Sequence, residues 1–300
     1  MQTLISILYY SIFRYPLNLE EIHFYSENNN LSDTERDLDV LVSQNIISFI
    51  DNFYVYNDDL NCVFRRQKGN LKAQEILIKA KTKACFIAKF PFVEGVGISG
   101  SISKNYYDEN SDIDFFVIAK QNRLWFCRFF LVLYKKIFLF NSYKRFCINY
   151  YIAEDFLEIE EKNRFTATEI ITLIPVTGKS IFSKFYQSNR WVLNYFVKFT
   201  ADVDKVIAIK KSIASIAVEY LLDNKVGTYL DQVIKGVFIK KWQSKFNYLN
   251  DDDLQIALKS TANVSKHHPL NFQKKVLDAL QIKFEEVRVK FNLDLQQKNV

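Results

Sequence analysis

The run Gly97-Ile98-Ser99-Gly100-Ser101, followed eleven residues after Ser101 by Asp112-Ile113-Asp114 and the apolar Phe115-Phe116-Val117-Ile118, restricts the fold more than any other part of the chain. An apolar stretch ending in small residues reads as a strand that breaks into a tight turn able to open a helix. The second stretch reads as another strand. Alternate residues of a strand share a face, so Asp112 and Asp114 are expected to point one way and Ile113, Phe115 and Val117 the other. Two carboxylates side by side repel each other unless cations lie between them. A hard divalent ion such as Mg2+ meets that need, because it takes carboxylate and phosphate oxygens. The Gly100-Ser101 turn complements it, since backbone N–H groups with no side chain in the way can approach phosphate oxygens closely.

An apolar residue, Gly-Ser, a spacer of about ten residues and Asp-x-Asp inside a strand together resemble the signature of the DNA polymerase beta-like nucleotidyltransferase superfamily; here they are Ile98, Gly100, Ser101, Asp112 and Asp114. The resemblance implies an α+β fold built on a small mixed sheet. It also implies two Mg2+ ions on Asp112 and Asp114, and a nucleoside triphosphate held by Ser99, Gly100 and Ser101. The superfamily commonly carries a third carboxylate on a following strand. The strand expected at 145–152 has none: Arg145, Cys147, Asn149 and Tyr151 alternate with Phe146, Ile148, Tyr150 and Ile152. Asn149 is the natural occupant of the missing position, with Glu154 and Asp155 just beyond as substitutes.

The rest of the chain organises around this centre. Residues 2–13, 17–25 and 33–43 read as helices, the third capped by Ser32 or Asp33. Two short β-prone runs across Asp51-Asn52 then read as a hairpin. Three helices and a hairpin resemble a winged helix, expected at residues 1–60. Its third helix, Asp33-Thr34-Glu35-Arg36-Asp37-Leu38-Asp39, is acidic, which disfavours DNA as a partner. Residues 65–89 carry eight Lys or Arg against the single acid Glu75 and have helical periodicity. They are expected to lead into a nucleotidyltransferase core spanning 61–160, and Pro91 ends the helix. Asn122 can cap a helix to about Phe140. From about Thr166 the pattern is helical, with breaks near Pro175, Gly227 and Gly236, so 161–300 reads as a helical domain. Arg190 and Trp191 read as a helix start that can frame a stacking pocket, and Lys266-His267-His268-Pro269 as a surface loop.

Composition narrows the function classes. The four cysteines, Cys62, Cys85, Cys127 and Cys147, form no Cys-x-x-Cys pair and no dense disulfide pattern, so reduced thiols in a cytoplasmic protein are expected. Residues 1–15 lack a basic leader and a cleavage site, and the apolar 124–140 is broken by Arg128, Lys135 and Lys136, so no membrane span is expected. A net charge of +6 suits anionic partners. The expected activity is Mg2+-dependent transfer of a nucleoside monophosphate from a triphosphate to a hydroxyl of an unidentified small-molecule, protein or RNA acceptor. The alternative is a catalytically degenerate nucleotide-binding or interaction protein on the same fold.

Overall fold

The computed structural model describes residues 2–57, 59–140, 146–246, 258–266 and 271–295. Five strands form the central sheet: β3 (Val93–Ser99), β4 (Asp114–Ala119), β5 (Cys147–Ala153), β6 (Ile174–Thr177) and β7 (Val264–Lys266), in the order β6-β3-β4-β5-β7. Only β4 and β5 run parallel, and α6 (Leu124–Phe138) lies between them in sequence, as a crossover connection requires. The other pairs are antiparallel. β4 is apolar throughout after Asp114 because both its faces are covered. Phe115, Val117 and Ala119 pack into one core cluster and Phe116 and Ile118 into another. The chain is therefore an α+β protein with a mixed sheet.

Ahead of the sheet come α1 (Gln2–Ser11), α2 (Leu19–Tyr25), α3 (Leu31–Ser43) and the hairpin of β1 (Ser48–Ile50) with β2 (Phe53–Val55). Asp51 and Asn52 take φ of 48° and 67°, the left-handed pair that a two-residue hairpin turn needs. The start of α3 differs from expectation: Asn30, not Ser32 or Asp33, is the cap, its side chain accepting the Asp33 N–H at 2.8 Å. The core under these elements includes Val276, Leu280, Phe284 and Val287 of α11 (Phe272–Phe291), so residues near both ends of the sequence share one cluster.

The basic helix is α4 (Leu60–Ile87). Two of its cations bind the amino-terminal elements. Arg66 is buried, donates to the Pro16 carbonyl, pairs with Glu21 at 2.7 Å and stacks on Tyr15 and Phe53. Arg65 donates to the Phe13 carbonyl and to Asp108.

The carboxy-terminal part is mainly helical, with α7 (Arg164–Thr172), α8 (Lys179–Ser188), α9 (Ile213–Leu222), α10 (Lys225–Lys245) and α11, and it also supplies β6 and β7. Pro175 lies inside β6, at an edge of the sheet where its missing N–H costs no ladder bond. Gly227 and Gly236 do not break the helices. The break falls at Asp223-Asn224, where Asn224 caps α10 by accepting the Gly227 N–H. Arg190–Asn194 is a short 3-10 helix, and Trp191 is buried with its indole N–H on Asn189, which spends the ring on packing rather than on a stacking pocket. His267, His268 and residues 253–257 lie outside the described residues, while Lys266 is buried in β7. No described helix is long and apolar enough to cross a membrane.

α6 starts at Leu124, and Asn122 is not its cap, since it takes a left-handed φ of 57°. Asp231, buried on α10, does the work from 105 positions away, its Oδ1 accepting the Phe126 N–H at 2.8 Å. Burial pushes that carboxyl up to about 6, against the pull of the N–H groups it faces. Asp231→Ala should therefore cost about 1–2 kcal/mol in urea denaturation at neutral pH, whereas Asp231→Asn, which keeps the acceptor, should cost less than half as much. Equal losses would mean that the charge, not the cap, matters.

Candidate functional site

The antiparallel register of β3 and β4 sets Ser99 opposite Asp114. β3 then enters α5 (Gly100–Ser103), a single turn in which the Ser101 carbonyl accepts the N–H groups of Lys104 and Tyr106 at 3.0 Å. Gly100 has a φ of 70°, and a Cβ built there would lie 2.3 Å from Oδ2 of Asp114. Both the left-handed backbone and the carboxylate pressed against it require glycine. A helix this short has little macrodipole, so an anion at the turn would meet individual N–H groups.

The two acids differ from the expected arrangement in one respect. Asp114 opens β4 and joins the ladder, whereas Asp112 precedes the strand. The Asp112 charge nevertheless acts on Asp114. Burial, then Asp112 and Glu169, push the Asp114 carboxyl up to about 7, against the pull of Lys104.

Asn149 meets Asp114 directly, its Nδ2–H donating to Oδ1 at 2.6 Å. The Cys147 thiol donates to Asn149 Oδ1 at 2.9 Å, and burial followed by the Asp114 charge pushes that thiol up to about 12. The expected alternation of β5 fails beyond this point. A bulge sets Phe115 opposite Ile148 and Phe116 opposite Tyr150, leaving Asn149 as the extra residue. Tyr151 consequently joins Phe115 and Val117 in one cluster, while Tyr150 stacks on Phe116 on the other side. Arg145 lies outside the described residues. Glu154 cannot substitute for a third acid, nor can Asp155. They follow the far end of β5, where Ala153 pairs with Ala119, roughly 15–20 Å along the strands from Asp114.

Two neighbours escaped the sequence reading. Lys104 donates to the Gly100 carbonyl at 3.1 Å and pairs with Glu169 of α7 at 2.8 Å. Lys104 lies one helical turn after Gly100, a spacing visible in the sequence. Glu169 comes from a remote helix and carries no local signal. Among the described residues no three His, Cys, Asp or Glu side chains gather as a metal cage. The arrangement is instead a pair of acids flanked by a glycine turn, a lysine and an amide.

Without metal, the folded Asp114 holds its proton up to about pH 7, whereas an unfolded aspartyl titrates near 3.8. Its stabilising contribution is complete below about pH 4 and is lost as pH rises through 7. Asp114→Asn should therefore gain stability relative to the parent between pH 5 and pH 8 in EDTA, by on the order of 2 kcal/mol after allowance for partial exposure. A flat difference across that range in chemical denaturation would contradict it.

The chain matches no curated protein and no solved structure. A family model described as the nucleotidyltransferase domain matches residues 77–259, a span that runs from within α4 past α10 and contains β3, β4, β5 and the whole acid pair. That match covers more than half of the 300 residues, and the chain belongs to the nucleotidyltransferase domain family.

Proposed function

We propose that the protein is an Mg2+-dependent nucleotidyltransferase that moves a nucleoside monophosphate from a nucleoside triphosphate to an acceptor hydroxyl. One observation carries the reading: in a chain of this family, the Asp114 carboxyl is packed against Gly100 and raised to about 7 beside a second acid. Such a pair lacks sufficient positive charge, and its hard oxygens fit Mg2+, which commonly uses one or two carboxylates and takes its remaining ligands from phosphate and water. Asp112 and Asp114 would hold the metal, two ions in the fullest form of the reading. Mg2+ supplies charge neutralisation on the phosphates and on the oxygens that attack and leave.

The chain's own residues supply position. The N–H groups of the Ser99-Gly100-Ser101 turn would cradle triphosphate oxygens, and Lys104 would add a cation once drawn from Glu169. The bond from the acceptor oxygen to the α-phosphorus forms as the bond to pyrophosphate breaks. Asn149 can orient the acceptor by hydrogen bonding but is a poor base, so the hydroxyl proton would leave to water or to a phosphate oxygen. The cytoplasm is part of this proposal; the four cysteines are free thiols, which fits it. A second reading, a nucleotide-binding protein without turnover, is favoured by the amide at Asn149.

Labelled triphosphate with Mg2+ should bind saturably and release pyrophosphate. Binding without release favours the second reading. Asp112→Asn combined with Asp114→Asn should abolish Mg2+-dependent binding, at least a hundredfold in Kd, while circular dichroism stays that of the parent; parental binding by this variant would remove the metal site from consideration. Asn149→Asp should tighten Mg2+ binding several-fold and raise turnover if the protein is an enzyme. Weaker metal binding in that variant would mean that position 149 does not face the metal.

A further inference from the structure

A cleft of about 190 Å³ opens beside β5, between α6 and α10. Five basic side chains line it, Arg128, Lys135 and Lys136 of α6 with Lys241 and Lys245 of α10, and among the described residues no carboxylate does. Its β5 wall includes Asn149, which donates to Asp114, and Cys147, the register partner of Asp114 on β5. β7 pairs with β5 only at Tyr150, Tyr151 and Ile152, so among the described strands the first residues of β5 keep an open edge toward the cleft.

Arg128 is the unusual group. It is only 5% exposed, lies over the rings of Tyr151, Phe238 and Trp242, and its Nε and Nη1 find no hydrogen-bond partner among the described residues. Burial holds its pKa below the ordinary arginine value. Ring faces offset part of the cost of a buried guanidinium but satisfy none of its N–H donors. A rigid, planar fork of that kind matches phosphate oxygens.

The sheet order supplies direction. The Gly100-Ser101 turn follows β3, on one flank of Asp114, while β5 and the cleft lie on the other. A phosphoryl group transferred in line needs its attacking and leaving oxygens on opposite sides. With donor phosphates at the β3 flank, the attacking oxygen comes from the β5 flank. Resting on the nucleotidyltransferase reading above, we infer that the cleft between α6 and α10 seats the acceptor, and that the acceptor is a phosphorylated small molecule whose phosphate is held by Arg128 and the lysines. The volume suits a sugar-phosphate-sized group.

The test titrates inorganic phosphate into the full-length chain in EDTA, which silences the metal-dependent site. The parent should bind. Lys241→Glu with Lys245→Glu, two exposed positions, should weaken phosphate at least tenfold, while Asp112→Asn with Asp114→Asn should leave it unchanged. The lysine variant should also keep parental Mg2+-dependent triphosphate affinity. No phosphate binding by the parent, or equal binding by the lysine variant, overturns the inference. A matching loss of triphosphate affinity would assign the cleft to the donor and overturn it too. So would a single-stranded RNA oligonucleotide that binds at least tenfold tighter than phosphate and loses that binding in the lysine variant, since the acceptor would then be nucleic acid. Failure of the parent to bind triphosphate with Mg2+ is a separate readout that counts against the donor site alone.

Discussion

The pairing of Ser99 with Asp114 is the contact on which the site depends. It brings the end of one strand, where the backbone turns left-handed at Gly100, against the first carboxylate of the next. The connecting segment has side-chain anchors of its own. Asp108 accepts from Tyr106, Ser111 and Arg65, and despite burial those bonds hold its carboxyl below the ordinary range. Tyr106 lies against Gly69, where a Cβ would come within 2.3 Å of the ring. A glycine inside a helix costs about 1 kcal/mol relative to alanine. Here it lets the segment before Asp112 lie flat on α4, so the long helix positions an acid that belongs to no strand.

The site is a local weakness that the surrounding packing sustains. Asp114 is raised, Cys147 is raised, and Gly100 sits in a conformation that other residues avoid. The residues immediately after Asp114 are among the best buried in the molecule, with Phe115, Val117, Ile118 and Ala119 all 0% exposed. Phe115, Val117 and Ile118 each contribute about 1.5–3 kcal/mol by leaving water. Strand β4 therefore anchors through its apolar length the one polar residue at its head and keeps that carboxyl in register with Ser99.

How much of this was legible depended on the range of the cause. The strand that ends in the Ser99-Gly100-Ser101 turn, the spacing to Asp114 and the long basic helix follow from patterns within a few residues and stand as read. Face alternation placed Asp112 beside Asp114 but could not say where the ladder begins, and Asp112 falls outside it. Strand β6 hid behind Pro175, because the edge position that tolerates proline is a property of the whole sheet. Three-residue β7 is too short to show a period. The cap of α6 was illegible for the same reason of distance: Asp231 reaches Phe126 only after α10 has packed on α6. Lys104 was within reach of a more careful reading; Glu169 was not.

The bulge in β5 joins the two halves of the functional argument. In an unbroken strand Asn149 and Tyr151 would share a face, and Tyr151 would point toward Asp114. The extra residue reverses the parity after Asn149. Tyr151 then turns under α6, where its ring lies 4.8 Å from the Arg128 guanidinium, while Asn149 stays hydrogen-bonded to Asp114. One inserted residue thus lets a single strand support a buried cation on one face and an acid on the other, within two positions of each other. A regular strand would have to choose, and with Tyr151 on the acid's face Arg128 would lose one of the three rings that allow it to remain buried with no carboxylate partner among the described residues.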